Sequence, residues 1–104
     1  TELRKFNSNG DNLWTYSNSD VGAVDFDNNG NIYATGYEES LHIIKIDSSG
    51  SELWKWDWGN SYTYPRGIAV YSNYIYIAGN TLNSLSGNEN SGKNDVFITK
   101  MRIK

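Results

Sequence analysis

The chain contains an internal repeat, and this repeat restricts the fold more than any other feature of the sequence. Three segments recur in order along the chain: 3–14 as 43–54, 22–24 as 68–70, and 32–36 as 75–79. The first pair has a constant offset of 40 positions, as from Trp14 to Trp54. A period in this range is typical of propeller blades and solenoid units. A single unit cannot bury its apolar face alone, so we expect the copies to stack.

The local pattern predicts an all-β chain without helix. Apolar residues alternate with polar ones, and Gly, Asn, Asp or Ser interrupts the alternation about every ten residues. Nine strands are predicted, at residues 2–7, 12–16, 22–26, 31–37, 41–47, 52–58, 67–71, 74–80 and 95–103. The short turns between them, several of which end in Gly, favour antiparallel hairpins.

The repeat predicts incomplete propeller blades. With the four strands of a blade lettered A to D from the axis outward, the chain order is C-D, A-B-C-D, A-B-C. The single domain then comprises an outer half-blade at 1–20, a complete blade at 21–60, and a blade without its outermost strand at 61–104. Closed propellers typically have about 4–8 blades, so these units are too few to close a ring. We expect the open edges to accept strands from other copies, in a filament or a ring.

Composition excludes several classes of protein. The 104 residues correspond to one domain. The net charge is −3 and no basic stripe is visible, so we expect no nucleic-acid partner. The chain has 0 Cys, which excludes disulfides, thiol catalysis and thiolate metal sites. No apolar run approaches the roughly 18 residues of a membrane-spanning helix, so no membrane span is predicted.

Two stretches of the sequence resemble the bacterial and archaeal β-propeller repeat family that is often labelled SBBP. That family carries a stretch similar to G-I-A-V-D-x-x-G-N-x-Y-V-T-G, which residues 21–25 and 30–36 match. A second family stretch, D-A-F-V-x-K-x-D-x-x-G-x-x-x-W, is matched at its start by 95–100 and at its end by 44–50 with Trp54. The resemblance implies a propeller fold and an extracellular or cell-surface setting. It implies no reaction, because the family shares no catalytic motif.

One loop is a candidate calcium site. Asp25, Asp27 and Asn29 place oxygen atoms at alternate positions, and Gly30 follows at the sixth position, as in a calcium-binding loop. The twelfth position is Gly36, where a calcium loop of this type needs a bidentate Glu. The alternative is a hairpin in which Asp and Asn form the turn. No other cofactor is predicted.

The sequence also predicts an aromatic surface. Trp54, Trp56 and Trp58 alternate along an outer strand and therefore share one face, and Trp14 and Tyr16 hold the matching positions in the first copy. One interpretation is packing between blades. The other is an assembly interface with a second copy of the chain, because exposed aromatic stripes mark association surfaces.

Carbohydrate binding is the alternative function. Trp58, Tyr62 and Tyr64 form a candidate ligand site in which aromatic rings stack on sugars, and the loop at 81–94 is long enough to add specificity. An enzyme is not predicted. His42 is the only histidine, and Glu38 and Glu39 are adjacent on a loop, where they diverge. The leading hypothesis is a non-enzymatic structural protein that assembles with copies of itself, and a lectin-like oligomer is the alternative.

Overall fold

The computed structural model describes residues 2–17, 20–59, 63–82 and 95–103, and these residues form β-strands with no helix among them. The nine strands are β1 Leu3–Phe6, β2 Asn12–Tyr16, β3 Ala23–Phe26, β4 Ile32–Glu38, β5 Ser40–Ile46, β6 Glu52–Trp58, β7 Thr63–Tyr71, β8 Tyr74–Thr81 and β9 Asp95–Arg102. The all-β prediction is confirmed, and each predicted strand overlaps one observed strand.

The strands form three antiparallel sheets. The first sheet is β1-β2, the second is β3-β4-β5-β6 and the third is β7-β8-β9. The predicted division into two, four and three strands is therefore confirmed, and each sheet is a simple meander. Within the described strands the sheets do not close into a ring.

The core lies between the sheets, and the second sheet is covered on both faces. Against the third sheet, one cluster contains Tyr33, Leu41, Ile43, Ile75, Ile77 and Met101. Against the first sheet, a second cluster contains Ile32, Ile44 and Ile46, with Leu3, Trp14, Tyr16 and Val21 packed on it. Adjacent side chains of β4 and β5 thus alternate between two different interfaces, which explains why both strands are apolar at consecutive positions.

The second and third sheets diverge like the sides of a wedge. Cα atoms of β7 lie within 8 Å of Cα atoms of β3, β4 and β5. At the far side of the two sheets, β6 and β9 do not come within that distance of each other. The resulting stack is elongated, with extents of 47 × 28 × 21 Å. Its radius of gyration is 14.5 Å, compared with about 13 Å for a compact domain of this length.

Two features of β7 differ from the prediction. The strand begins at Thr63, not at 67, because Pro65 is tolerated on this edge strand, where a bulge follows it. The repeat is also offset differently here. Val24 pairs with Ala34 and Ile68 pairs with Ile77, so Val24 corresponds to Ile68 and not to Val70. The alignment of 22–24 with 68–70 is therefore wrong by two residues, a shift that keeps every side chain on its predicted face.

Candidate functional site

The candidate calcium loop forms the turn between β3 and β4. The Asp27 carboxylate accepts four hydrogen bonds: from the backbone N–H of Asn29 (2.8 Å) and Asn31 (3.0 Å), from the Asn31 side-chain amide (3.0 Å) and from the Tyr33 hydroxyl (2.9 Å). Gly30 completes the turn with φ 84°. Burial alone would raise the pKa of Asp27, but these hydrogen bonds lower it below its ordinary value.

The same turn recurs in the β1-β2 hairpin and in the β5-β6 hairpin. Asn7 Oδ1 accepts the backbone N–H groups two and four residues further on, at 2.9 and 3.0 Å. Asp47 Oδ1 does the same at 2.9 and 3.0 Å. Because Asn7 is neutral, the turn needs only a side-chain oxygen and not a charge.

Asp25 lies on the other face of β3 from Phe26 and points toward the third sheet. Its Oδ2 accepts the backbone N–H of Val70 at 2.6 Å, so the carboxylate joins two sheets. Among the described residues, no group of three or more His, Cys, Asp or Glu side chains is arranged to hold a metal ion. Hydrogen bonding therefore accounts for the positions of Asp25 and Asp27, and calcium binding at Asp25, Asp27 and Asn29 stays a prediction.

The three tryptophans of β6 share one face, which is turned toward the third sheet. Trp54, Trp56 and Trp58 pair with Lys45, Ile43 and Leu41 of the neighbouring strand β5, in that order. Trp54 and Trp58 pack against the core cluster, and the Trp58 ring lies 5.3 Å from the Phe97 ring. Trp56, in contrast, is 37% exposed. Packing between sheets thus explains Trp54 and Trp58, and Trp56 is the most exposed of the three, so its role in assembly stays a prediction.

The matching aromatic residues of β2 pack on the second sheet. Trp14 Nε1 donates a hydrogen bond to the Ser48 carbonyl at 3.1 Å, and a Cβ added at Gly50 would lie 2.7 Å from the indole. The Tyr16 hydroxyl donates to the Glu52 carboxylate. Burial, together with this carboxylate, raises the pKa of Tyr16 to about 12. Trp14 and Tyr16 therefore hold sheets together within the chain, and their role in assembly stays a prediction.

A cleft beside the edge of the third sheet combines aromatic and cationic groups. This tryptophan cleft has a volume of about 220 Å³ and is lined by Trp54, Lys55, Trp56 and Arg102. By the repeat, Trp54 corresponds to Trp14, which packs on Ser48 and Gly50 in the turn before the fourth strand of the sheet that follows it. Among the described residues the third sheet has three strands, and the cleft lies beside the position that a fourth strand takes in the second sheet. No local sequence pattern places Arg102 in this cleft, because its position beside Trp54 depends on how the sheets stack.

The candidate carbohydrate site is only partly assembled. The Tyr64 ring lies 4.6 Å from the Tyr37 ring, whereas Trp58 lies against Phe97. Tyr62 falls outside the described residues. The groove beside the two tyrosines has a volume of about 290 Å³ and also includes Asp20 and Arg66. Tyr37 was missed, since its distance from Tyr64 along the chain gives no signal that the two rings meet.

His42 is fully buried in the second sheet, where it pairs with Gly36 and Asp57. Burial, reinforced by the positive charge of Lys55, lowers the pKa of His42, although Glu38, Asp57 and Asp20 act in the opposite direction. A buried, neutral imidazole inside a sheet interface is in a position to pack but not to meet a substrate.

Comparison with known proteins adds no assignment. A scan against protein-family models gives no match, and a search of curated proteins gives no significant match. Within the described part of the chain, no helix has the length and apolar character needed to cross a bilayer.

Proposed function

We propose that this chain is a non-enzymatic structural protein that assembles with copies of itself through incomplete propeller blades. The observation that carries the proposal is that, among the described residues, the third sheet has three strands where the second has four. β9 is left as an edge, and the tryptophan cleft beside it is open. An unpaired strand edge is a template for a strand from another chain.

The propeller interpretation is supported by the arrangement of the sheets. Each is an antiparallel meander, and the second and third diverge from β3 and β7 outward, as blades do around an axis. β1 also has an open edge, because it pairs only with β2. Compared with the four-stranded second sheet, the described first sheet is two strands short and the described third sheet is one strand short, and strands from another copy can complete them.

The non-enzymatic assignment is supported by the state of the polar groups. His42 is buried, and the carboxylates of Asp25 and Asp27 are hydrogen-bonded to the fold. The extracellular or cell-surface setting is proposed from the family resemblance alone.

Light scattering after size exclusion tests the assembly. Each copy supplies one complete sheet and five further strands, one more than a second blade needs, so a closed ring of about 4–8 blades contains roughly two to four copies and leaves one strand of each copy redundant. At 11.8 kDa each, such rings have masses of about 24 to 47 kDa. A filament gives large, polydisperse particles that electron microscopy resolves. A folded monomer at every concentration up to about 1 mM would contradict the proposal.

A matched pair of variants on β6 links the assembly to the cleft. Trp56→Ala should weaken association, because it removes an exposed aromatic group from the tryptophan cleft. Leu53→Ala is the control, since Leu53 is 50% exposed on the same strand but does not line the tryptophan cleft. Equal association of both variants and the parent chain would show that the cleft is not part of the interface.

A lectin-like oligomer is the second candidate, and one observation favours it. The Tyr37–Tyr64 ring pair borders a groove that also holds a carboxylate and a guanidinium, which is a suitable set of groups for a sugar. A glycan array with the assembled protein tests this function. Binding that Tyr64→Ala abolishes supports it, and an array without hits counts against it.

A further inference from the structure

The groove beside Tyr37 and Tyr64, which we name the tyrosine groove, lies between the second and third sheets. Segments 20–22, 36–37 and 64–66 line its volume of about 290 Å³. The last two segments belong to β4 and β7, whose Cα atoms come within 8 Å of each other. One copy of the chain therefore forms the groove from its own residues, independently of any strand from another copy.

The tyrosine pair is an addition to the repeat. Tyr37 follows Gly36 on β4, whereas Asn80 follows the equivalent Gly79 on β8. The rings of Tyr37 and Tyr64 lie 4.6 Å apart at an angle of 38°, so they pack on each other and form one aromatic wall. Tyrosine presents an apolar ring with a polar tip, and such a wall can stack on the C–H face of a sugar ring. The groove thus has a surface for a sugar that a repeat unit does not need in order to fold.

Arg66 is the extra residue of a β-bulge. Pro65 pairs with Gly79 and Gly67 pairs with Ala78, so Arg66 is left out of the register between β7 and β8. In the second sheet, β3 pairs with β4 without such an insertion. A bulge changes the direction of a side chain, and bulges are over-represented next to functional sites. The bulge therefore adds to the groove a cation that the repeat itself does not require.

A hydrogen bond orients the Arg66 guanidinium. Its Nε donates to Asn80 Oδ1 at 2.8 Å, and Arg66 forms no ion pair with any residue that the structure describes. The two Nη groups at the end of the planar fork match the two oxygens of a carboxylate. The groove therefore presents a positioned group for the anion of a ligand.

The opposite charge in the groove comes from Asp20. An ionised carboxylate accepts hydrogen bonds but donates none, so Asp20 suits the hydroxyl groups of a sugar. It also repels a ligand that offers only negative charge. The groove volume is at the lower end of the roughly 300–1,000 Å³ of small-molecule sites. The groove therefore fits a single ring that carries both a carboxylate and hydroxyl donors.

We infer that the tyrosine groove binds a uronic acid, that is, a sugar whose ring carries a carboxylate. The carboxylate pairs with the Arg66 guanidinium, and ring hydroxyls donate to Asp20. The face of the ring stacks on the wall of Tyr37 and Tyr64. This inference rests on the lectin-like candidate function and names its ligand class, and it does not depend on how the copies assemble.

Matched sugars test the ligand class. The probes are the methyl glycosides of glucuronic and galacturonic acid, with methyl glucoside and methyl galactoside as neutral counterparts in which a hydroxymethyl group replaces the carboxylate. Saturation-transfer NMR on the full chain measures binding at any size of assembly. At least one uronate should bind with a dissociation constant of about 1 mM, and about 10-fold tighter than its neutral counterpart. Acetate that binds as tightly as the uronate would show a carboxylate site without a sugar and overturn the inference.

A pair of arginine variants assigns the preference to the groove. Arg66→Gln should reduce the affinity for the uronate to that for the neutral sugar, because glutamine has neither the charge nor the fork of arginine. Arg4→Gln is the control and should change the affinity by less than about twofold, since Arg4 pairs with Glu2 on the first sheet and does not line the groove. Both arginines are exposed, so the fold should persist, and circular dichroism checks this.

The outcomes separate this inference from the function on which it rests. If neutral sugars bind as tightly as the uronates, or if Arg66→Gln leaves the affinity for the uronate unchanged, the ligand class is wrong and the lectin-like function stands. The same holds if none of the four glycosides binds while the glycan array gives hits. If neither the glycosides nor the array shows binding, the inference and the lectin-like function both fail, and self-assembly is unaffected.

Discussion

The second and third sheets are built from the same repeat, yet only one of them is complete. The second has four strands and a covered surface on each side, whereas the third has three strands and one bare face. Their internal register agrees: Gly36 pairs with His42 as Gly79 pairs with Phe97. The difference teaches that the repeat specifies how a sheet folds, while its neighbours decide which residues are buried.

The largest expected effect compares equivalent isoleucines. Ile43→Ala should lower the free energy of unfolding by about 2–5 kcal/mol, because it leaves a cavity in the core between two sheets. Ile98→Ala should change it by less than about 0.5 kcal/mol in dilute, monomeric protein, because Ile98 is 76% exposed. Urea unfolding of both variants measures the difference. Similar losses would mean that the face of the third sheet is buried within the monomer.

Alanine substitutions at two equivalent glycines should lower stability by similar amounts, because both sheets need a glycine where another backbone segment approaches closely. A Cβ at Gly36 would lie 1.5 Å from the Asp20 carbonyl oxygen, and one at Gly79 would lie 2.1 Å from the Tyr64 carbonyl oxygen. Gly36→Ala and Gly79→Ala should each cost about 1–3 kcal/mol or more, since the backbone must move.

Gly22→Ala is the control for these glycines, because no atom lies within 4 Å of a Cβ there. Thermal unfolding compares the three variants. If Gly36→Ala were as stable as Gly22→Ala, the segment before β3 would not pack on β4 as closely as described.

The sequence could predict the strands but not their full environment. Period-two alternation located all nine strands because it is a local signal, and the repeat, with its offset of 40 positions, grouped them into sheets of two, four and three strands. The start of β7 was missed because Pro65 indicates a break unless the strand is known to lie at an edge. The contact of Tyr37 with Tyr64 and the position of Arg102 in the tryptophan cleft depend on how sheets stack, which no local pattern encodes.

The pH dependence of stability should distinguish the second sheet from the third, because the second sheet has a buried His42 where the third has Phe97. His42 has a lowered pKa in the folded chain, so below about pH 6.5 the unfolded chain binds a proton that the folded chain does not. Stability should therefore fall as the pH drops from 6.5, by up to about 1.4 kcal/mol per pH unit.

The variant His42→Phe places in the second sheet the residue that the third carries at Phe97. Its stability should be flat between pH 6.5 and 5, a window above the range in which Asp27 and Glu2 titrate. Urea unfolding at several pH values measures both slopes, and an unchanged slope in the variant would assign the dependence to another group.

The smallest expected effect concerns the candidate calcium loop. Asp27→Asn keeps the oxygen that accepts two backbone N–H groups, as Asn7 does in the first sheet, so it should cost less than about 1 kcal/mol at pH 7. Asp27→Ala removes that oxygen and should cost about 1–2 kcal/mol. The hydrogen bonds hold the Asp27 pKa low, so the difference in stability between the parent chain and Asp27→Asn should vanish as the pH falls below the usual Asp value of 3.8.

Adding millimolar calcium distinguishes a turn from a metal site. A site of millimolar or tighter affinity raises the melting temperature of the parent chain but not that of Asp27→Asn. A turn held by hydrogen bonds gives the same melting temperature with and without the ion.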